Sequence, residues 1–292
     1  MPGDTKVELR FIKPLSKYKT EKPYWLFVGR PSEFSEIDLT NVELETVPGI
    51  PLHDIRNDGE SYTLDDHGFQ FVKHDQTFVE FDDEKLIESE YLPQVEKVIR
   101  DNVPDAQKVF VFDWRIRQQM STDDANKLIS PVQIQDRTHI LAPSQTVHAD
   151  TTEFSLLKRV KTELPEEANE LLKCRVQMIN FWRPLYHEVQ NWPLLVCDGK
   201  STPLENLVAV DQIARSFVGD IYYATQTNAC KWYYMSGMDI NEGVLFKNWD
   251  TSNKAKSKLC LHSSCALPPE VLPSNYYPRL SIETRALVFS KQ

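Results

Sequence analysis

Short runs of β-branched and aromatic residues recur along the chain, and the breaks between them are rich in proline and polar residues. Such runs, bounded by turn residues, predict strands. Eighteen prolines against nine glycines make the breaks frequent, and no segment repeats another at a fixed period, which argues against a repeat array. The predicted strands cover residues 25–28, 69–72, 109–112, 176–182, 194–197, 221–224, 231–235, 243–246, 258–262 and 281–289.

Helical spacing of apolar residues is confined to residues 83–102, 152–161, 165–174 and 204–217. The third segment begins with Pro165 in a first-turn position, and the acidic residues that follow it suit the positive end of a helix. Strands dominate the second half of the chain. The pattern predicts a mainly β fold with flanking helices around a double-stranded β-helix, or jelly-roll, core.

The length of 292 residues is within the range of one β-barrel or β-sandwich domain. We expect a single domain over residues 1–292, in which residues 1–105 decorate a jelly-roll core formed by residues 106–292 with inserted helices. A content of 41% apolar and 26% charged residues is that of a globular protein with a sizeable core.

Charge and cysteine content narrow the choice of partner and compartment. The 43 acidic residues outnumber the 33 lysines and arginines, which gives a net charge of −10. Such a chain gains no counterion-release energy on nucleic acid and is repelled by anionic membranes. The N-terminal residues lack the apolar core of a secretory signal, no stretch has the length of a membrane span, and the five cysteines form no CxxC pair. We therefore expect a cytoplasmic protein that binds neither nucleic acid nor a membrane.

The first chemical motif is His148-Ala149-Asp150. On an extended segment, side chains at positions i and i+2 point the same way, so an imidazole and a carboxylate can bind one metal ion. The motif alone is weak, because a loop histidine followed by an aspartate that caps a helix near Thr152 explains it equally well.

The order of residues downstream strengthens the metal hypothesis. Residues 258–262 predict a strand that ends in His262, and Arg279 and Ser281 open the last predicted strand. His148, Asp150 and His262 would supply two imidazoles and one carboxylate to one face of an iron ion, leaving three positions open. Arg279 and Ser281, again at i and i+2, would hold a ligand carboxylate through an ion pair and a hydroxyl hydrogen bond. This combination is typical of 2-oxoglutarate-dependent oxygenases.

Further stretches occur in the same order as in a known family. They are GFQFVKH at 68–74, VFVFD at 109–113 followed by Arg115 and Arg117, VHAD at 147–150, INFWRP at 179–184, WPLLVCD at 192–198, WYY at 232–234 followed by Met238 and Glu242, then His262 and residues 279–289. On these motifs, the chain from about residue 68 to residue 289 resembles the fungal AsaB-type hydroxylase/desaturase family, which includes gibberellin desaturase-like proteins.

This resemblance implies an iron(II)- and 2-oxoglutarate-dependent oxygenase on a double-stranded β-helix, acting in secondary-metabolite biosynthesis. It also implies His148, Asp150 and His262 as the iron ligands. The chain departs from the family pattern at two places: Leu280 stands where an acidic residue is expected, and Cys230-Lys231 stand where a His-Arg pair is expected. These departures concern the lining of the pocket, and hence the substrate.

Three more residues are candidates for contact with 2-oxoglutarate. Arg285 shares strand parity with Arg279 and is a rival clamp, but Arg279 is favoured because a serine accompanies it two positions later. Asn180 and Arg183 would touch 2-oxoglutarate or the substrate. For Arg183, a structural role in an ion pair with a carboxylate such as Asp198 is favoured, since buried charges are usually paired.

Aromatic residues between positions 222 and 234 are candidates for an apolar substrate cavity, and Tyr222, Trp232 and Tyr234 are the predicted substrate contacts. Aromatic residues in strands are more often plain core, so we expect only one or two of them to reach the pocket. They predict an apolar natural product of terpenoid or polyketide type, which would be hydroxylated, desaturated or cyclised.

Two other functions stay open on the sequence. A non-catalytic partner of a homologous oxygenase would keep the fold and lack turnover, and a zinc-dependent hydrolase would use the same triad with a general base that the sequence does not show. Association as a homodimer, or as a heterodimer with a homologous chain, is a further alternative, since the edges of a double sheet need covering. Dependence on iron(II), 2-oxoglutarate and O2 would separate the oxygenase from the other two functions.

Overall fold

The computed structural model describes residues 3–27, 39–58, 61–120, 137, 139–214 and 217–291. In this part of the chain, strands make up both layers of the fold. The strands are β1 Thr5–Ile12, β2 Tyr24–Phe27, β3 Leu44–Asp54, β4 Phe69–Lys73, β5 Ala106–Gln118, β6 His148–Ala149, β7 Arg175–Pro184, β8 Leu194–Cys197, β9 Leu207–Ala214, β10 Val218–Ala224, β11 Trp232–Tyr234, β12 Glu242–Asp250, β13 His262–Ser264 and β14 Leu280–Ser290.

The strands form two sheets that pack against each other. One sheet has nine strands in the order β1-β3-β11-β8-β13-β6-β10-β9-β2, and the other has five in the order β4-β12-β7-β14-β5. Neighbouring strands are antiparallel except for β3–β11 and β2–β9, which are parallel. Two largely antiparallel sheets whose strands alternate along the chain form a jelly roll, so the predicted mainly β fold is confirmed.

Strands from the first 105 residues belong to both sheets. The β1–β3 pair extends one side of the nine-stranded sheet, β2 forms its opposite edge, and β4 pairs with β12 in the other sheet. This region therefore shares backbone hydrogen bonds with the later strands. The division of the domain at residue 105 stays a prediction.

Helices flank the sheets at Leu64–His67 (α1), Glu84–Leu86 (α2), Leu92–Asn102 (α3), Glu153–Glu163 (α4) and Ala168–Leu171 (α5), and a π turn at Ile87–Tyr91 joins α2 to α3. The predicted helix at residues 83–102 is confirmed as this continuous segment. The predicted helix at 152–161 is confirmed as α4, and Thr152 caps it by accepting a hydrogen bond from the Ser155 N–H. Of the predicted helix at 165–174, only α5 is α-helical.

The predicted helix at residues 204–217 is wrong. A short 3-10 turn at Leu204–Asn206 leads into β9, which pairs with β10 from Leu207 to Ile213. Val208 and Val210 are β-branched and fit a pleated sheet, so the cross-strand pairing overrides the helical spacing of the apolar residues.

The predicted strand at residues 258–262 is also wrong, because a strand begins at His262 rather than ending there. The Cys260 N–H donates to the Lys247 carbonyl in β12, whereas the Leu261 carbonyl accepts from the Cys197 N–H in β8. The segment before His262 thus crosses from one sheet to the other. A crossing segment has no regular ladder, although its apolar residues are buried like those of a strand.

Strands β1 and β3 are absent from the sequence-based prediction. In β1 the buried residues Val7, Leu9 and Phe11 alternate with polar ones, which is a strand signal hidden by the charges between them. In β3, Pro48 and Pro51 are typical of a break. A shift of register between Val7 and Leu9 accommodates this irregular partner.

The two faces of the five-stranded sheet have different environments. Its outer face packs against the helical segment through Val95 and Ile99, which join Ile179 and Phe181 in one apolar cluster. Its inner face carries apolar residues at both ends and polar residues between them, where Asn180 of β7 pairs in register with Arg285 of β14. This buried polar zone faces the nine-stranded sheet and positions the site.

Candidate metal centre and adjoining pocket

The structure brings His148, Asp150 and His262 together. His148 lies in β6 and His262 is the first residue of β13, and the two are paired in register on adjacent strands. Their ring centroids are 4.2 Å apart, and Asp150 follows β6 directly. One ligand atom from each of the three residues lies within 4.8 Å of the others. A single cation therefore fits between them.

The imidazoles turn their Nε2 atoms towards this centre. His148 Nδ1 lies 2.7 Å from the Thr146 carbonyl, and His262 Nδ1 lies 3.3 Å from the Cys260 carbonyl. Because a carbonyl only accepts hydrogen bonds, each Nδ1 carries the proton and each Nε2 keeps its lone pair. Burial, with His148 next to it, lowers the pKa of His262 to about 3. His262 Nε2 is buried without a hydrogen-bond partner, as expected of a ligand atom.

Asp150 supplies the charge of the site. Its Oδ1 lies 3.4 Å from His148 Nε2 and 3.9 Å from His262 Nε2. Burial alone would raise the pKa of Asp150, but the Arg285 guanidinium holds it well below its usual value. Two neutral imidazoles and one ionised carboxylate are the donor set of mononuclear non-haem iron(II) sites, so these residues fit iron.

Arg279 is a buried cation, and none of the carboxylates in the described part of the chain forms an ion pair with it. Its Nη1 donates to the Trp192 carbonyl and to a serine hydroxyl of β13, each at 2.8 Å, and its Nε donates to Ser281 Oγ at 3.0 Å. The negative charge that acts on Arg279 is that of Glu283, and this carboxylate is itself paired with Arg285 at 2.5 Å. Burial, with a second arginine nearby, lowers the pKa of Arg279 to about 9. A buried charge of this kind favours an anionic ligand.

One small pocket is lined by the two triad histidines and by Arg279. Both triad histidines contribute to its wall, so the pocket lies beside the candidate metal centre. Three serines and two arginines give it polar character. Its lining consists of Arg117, Ser144, His148, Leu194, His262, Ser263, Ser264, Arg279 and Glu283.

Six of the nine lining residues are absent from the sequence-based prediction, among them Ser264 and Arg117. Ser264 lies two positions after His262 on β13, so the same i and i+2 rule that linked His148 to Asp150 could have found it. Arg117 lies opposite Ser281 in the pairing of β5 with β14, and no sequence pattern shows that pairing. Asn248, which bonds to the Asp150 backbone N–H, was also missed because a β-bulge in β12 sets its direction.

Arg285 and Asn180 contact the triad rather than the pocket. Arg285 Nε donates to Asp150 Oδ2 at 2.9 Å, and Asn180 Nδ2 donates to the same oxygen at 2.7 Å. Neither residue is among those that line the pocket. The structure therefore brings both predicted residues to the Asp150 carboxylate, and not to the pocket beside Arg279.

Arg183 lies on the opposite face of the five-stranded sheet. Its guanidinium carbon is 5.3 Å from the centre of the Phe81 ring and 5.6 Å from that of Tyr91. The structure does not pair Arg183 with Asp198, whose carboxylate caps the turn at Gly199–Ser201. Asn180 and Arg183 are an odd number of residues apart in β7, so they face opposite sides of the sheet.

The predicted substrate contacts also lie on the face away from the triad. Tyr222 pairs with Ala149, whereas Tyr223 pairs with His148. In the same way Trp232 and Tyr234 flank Tyr233, which shares the face of His262 through β8. Trp232 and Tyr234 instead join the main apolar core. A shift of one residue exchanges the faces of a strand, and sequence alternation alone does not show which face is inward.

Comparison with known proteins places these features in a family. A family model described as an oxidoreductase/YMDC permease-like domain matches residues 9–289. The hydroxylase/desaturase CTB9 of Cercospora beticola is 30% identical over 254 residues, which cover 82% of this chain and 76% of CTB9. The Fe(II)/2-oxoglutarate-dependent dioxygenase nvfI of Aspergillus novofumigatus is 27% identical, covering 97% of this chain and 95% of the relative.

The fold agrees with a solved structure of the same group. The iron and alpha-ketoglutarate-dependent endoperoxidase NvfI superposes with a TM-score of 0.83 at 24% identity, covering 99% of both chains. A jelly roll with a buried His-Asp-His triad defines the class of mononuclear non-haem metal oxygenases. The chain belongs to the family of fungal hydroxylase/desaturases and Fe(II)/2-oxoglutarate-dependent dioxygenases that includes CTB9 and nvfI, which confirms the resemblance seen in its sequence. Among the described residues, no helix combines the length and apolarity needed to cross a membrane.

Proposed function

We propose that this chain is an iron(II)- and 2-oxoglutarate-dependent oxygenase that uses His148, Asp150 and His262 as metal ligands and Arg279 to bind 2-oxoglutarate. One observation carries the proposal: a single pocket is lined by the two triad histidines and by a buried arginine that no described carboxylate pairs with. A metal at one end and an unpaired cation at the other match a small dicarboxylate with a 2-oxo acid group.

The triad leaves room for the co-substrates. Three protein donors on one face of an octahedral ion leave three positions, of which the 2-oxo acid end of 2-oxoglutarate would take two and O2 the third. Bound iron would supply the activation of O2, coupled to decarboxylation of 2-oxoglutarate to succinate. The protein residues hold the metal, orient the dicarboxylate and exclude bulk water from the buried pocket.

Arg279 and its neighbours would determine how the distal carboxylate binds. Ser281 accepts a hydrogen bond from Arg279 Nε, so its main contribution is to orient the guanidinium. Ser264 accepts from Nη1 and lines the pocket beside His262. The remaining guanidinium donors would bind the carboxylate through charge-assisted hydrogen bonds in a site of low dielectric constant.

The substrate that we propose is a small apolar natural product, of terpenoid or polyketide type, which is hydroxylated, desaturated or cyclised. Relatives named hydroxylase/desaturase and endoperoxidase support an oxidation at carbon. Tyr223 and Tyr233 share the faces of the two triad histidines, and they replace the residues predicted from the sequence as candidates for substrate contact.

Location and assembly remain part of the proposal. The net charge of −10 argues against nucleic acid and anionic membranes as partners, and the cytoplasm is the expected compartment. A homodimer, or a heterodimer with a homologous chain, is an alternative to a monomer. Light scattering would decide between these oligomeric states.

The decisive experiment measures succinate formed from 2-oxoglutarate by the purified chain with iron(II) and O2, in the presence of a panel of terpenoids and polyketides. We expect turnover that needs iron(II), 2-oxoglutarate and O2 and that rises with at least one apolar compound. This turnover should disappear in His148→Ala. A chain that binds iron but never decarboxylates 2-oxoglutarate would favour the non-catalytic partner. A zinc-dependent hydrolysis without use of 2-oxoglutarate would favour the hydrolase.

A further inference from the structure

The two oxygens of Asp150 have different partners. Oδ1 faces the Nε2 atoms of both histidines, at 3.4 and 3.9 Å. Oδ2 points away from them and accepts two hydrogen bonds, from Arg285 Nε at 2.9 Å and from Asn180 Nδ2 at 2.7 Å. One oxygen is therefore available to a metal, and the other is already occupied by protein donors.

A closed chain of amides fixes the position of this carboxylate. Asn248 Oδ1 accepts a hydrogen bond of 2.7 Å from the Asp150 backbone N–H, and Asn248 Nδ2 donates to Asn180 Oδ1 at 2.8 Å. Asn180 in turn donates to the Asp150 side chain. Both asparagines are fully buried, so water does not compete for these bonds. The backbone and the side chain of Asp150 are held by one rigid network.

Each of the three guanidinium nitrogens of Arg285 is paired with a carboxylate. Besides Asp150, its Nη1 pairs with Asp113 at 2.7 Å and its Nη2 pairs with Glu283 at 2.5 Å. Three carboxylates thus surround one planar guanidinium, which offers a separate N–H direction to each of them. Lysine has no such fork, which explains the use of arginine at this position.

We propose that Arg285 and Asn180 are positioning residues that hold Asp150 Oδ2, so that the carboxylate binds the metal through Oδ1 alone. This inference rests on the proposed function and extends it to the geometry of the metal site. Binding through both carboxylate oxygens would occupy one of the three open positions that 2-oxoglutarate and O2 need. The network therefore keeps the coordination number of the protein ligands at three.

The test measures the affinity and the d–d absorption spectrum of Co(II), used as a stand-in for iron(II), in the full-length chain. Arg285→Gln and Asn180→Ala are each expected to weaken Co(II) binding by about 10- to 100-fold, as is usual for partners that orient a metal ligand. Their Co(II) spectra should also change, since the freed oxygen alters the coordination sphere. A purely structural role would lower stability without changing the spectrum of the bound ion.

Matched control residues are available in β7, the strand that holds Asn180. Arg175 is another arginine bound to acidic residues, with Nε 3.0 Å from Asp250 Oδ1, and Gln177 is another buried amide of β7. Arg175→Gln and Gln177→Ala should leave Co(II) affinity and spectrum unchanged. If Arg285→Gln does not fold by circular dichroism, Asn180→Ala, and Asn180→Ser as a milder change, decide the question.

Wild-type affinity and an unchanged spectrum in the Asn180 and Arg285 variants would overturn the inference, as would an equal effect of the control substitutions. Failure of the proposed function gives a different result: the wild-type chain would bind Co(II) and respond to these substitutions, yet form no succinate from 2-oxoglutarate with iron(II) and O2. Arg279→Gln should retain Co(II) affinity, which separates the metal site from the proposed 2-oxoglutarate site.

Discussion

Single residues of the site obtain their roles from what they are hydrogen-bonded to. Arg279 and Arg285 share strand parity; Arg279 is buried and Arg285 keeps 14% of its side chain exposed. Arg285 is paired with three carboxylates, whereas no described carboxylate pairs with Arg279. The triad could be predicted from the order of His148, Asp150 and His262 along the chain. The division of labour between the two arginines could not, because it depends on which residues lie opposite them in strands far away in sequence.

At this scale we predict that Arg279→Gln raises the concentration of 2-oxoglutarate needed for half-saturation strongly. Loss of a charged partner from a desolvated carboxylate costs on the order of 2 to 5 kcal/mol. Ser281→Ala should cost only about 1 kcal/mol, since it removes one neutral hydrogen bond to the guanidinium. Calorimetric titration of the metal-loaded chain with 2-oxoglutarate measures both, and an equal or larger effect of Ser281→Ala would argue against Arg279 as the clamp.

Elements form where sequence pattern and long-range pairing agree. The helix at 152–161 could be predicted because its cap and its apolar face are local features. Strand β9 could not, because its partner β10 is what makes it a strand. The position of His262 at the start of β13 depends on hydrogen bonds to both sheets, and these lie outside any local window.

The cap of α4 gives a prediction about stability. Thr152 Oγ1 accepts from the Ser155 N–H at 3.1 Å and donates to Asp220 at 2.5 Å, so it links the helix to β10. Thr152→Val should lower the free energy of unfolding by about 1 to 2 kcal/mol. Thr152→Ser keeps the hydroxyl and should lose much less. Urea denaturation of both variants measures the difference, and equal losses would contradict the capping role.

A second element-scale prediction concerns acid stability. Asp250 at the end of β12 is fully buried and pairs with Arg175 of β7 and with Lys247, whose Nζ is 2.7 Å away. Burial would raise the pKa of Asp250, but these two cations lower it below the ordinary 3.8. The folded state thus releases this proton more readily than the unfolded chain. Its contribution is present above pH 3.8 and is lost as the pH falls through the folded value.

Asp250→Asn should therefore lower the free energy of unfolding by about 3 to 5 kcal/mol at pH 7, because it leaves the buried Lys247 and the largely buried Arg175 under-compensated. The difference from the wild-type chain should shrink as the pH falls below 3.8, where the wild-type carboxylate also becomes protonated. Denaturant unfolding at several pH values checks this. If the difference in the free energy of unfolding instead grows as the pH falls, the pKa of Asp250 is not lowered by folding.

For the whole molecule, the jelly roll and the triad fit one account of function. The overall class could be predicted because the strand runs, the missing basic tract and the order of the chemical motifs all agree. The faces of the aromatic strands could not be predicted: Tyr223 and Tyr233 share the faces of the triad histidines, whereas the predicted contacts lie on the other face. Substrate contacts are the least predictable part, since they depend on the register of several strands at once.

The most direct test of the central claim is an anaerobic titration of the iron(II)-loaded chain with 2-oxoglutarate, followed by the visible charge-transfer absorption of an iron(II)–2-oxo acid complex. We expect the absorption to appear and to saturate at equimolar 2-oxoglutarate in the wild-type chain. It should be absent in His262→Ala and should require a much higher concentration in Arg279→Gln. A wild-type chain that holds iron(II) and shows no absorption at any 2-oxoglutarate concentration would contradict the account.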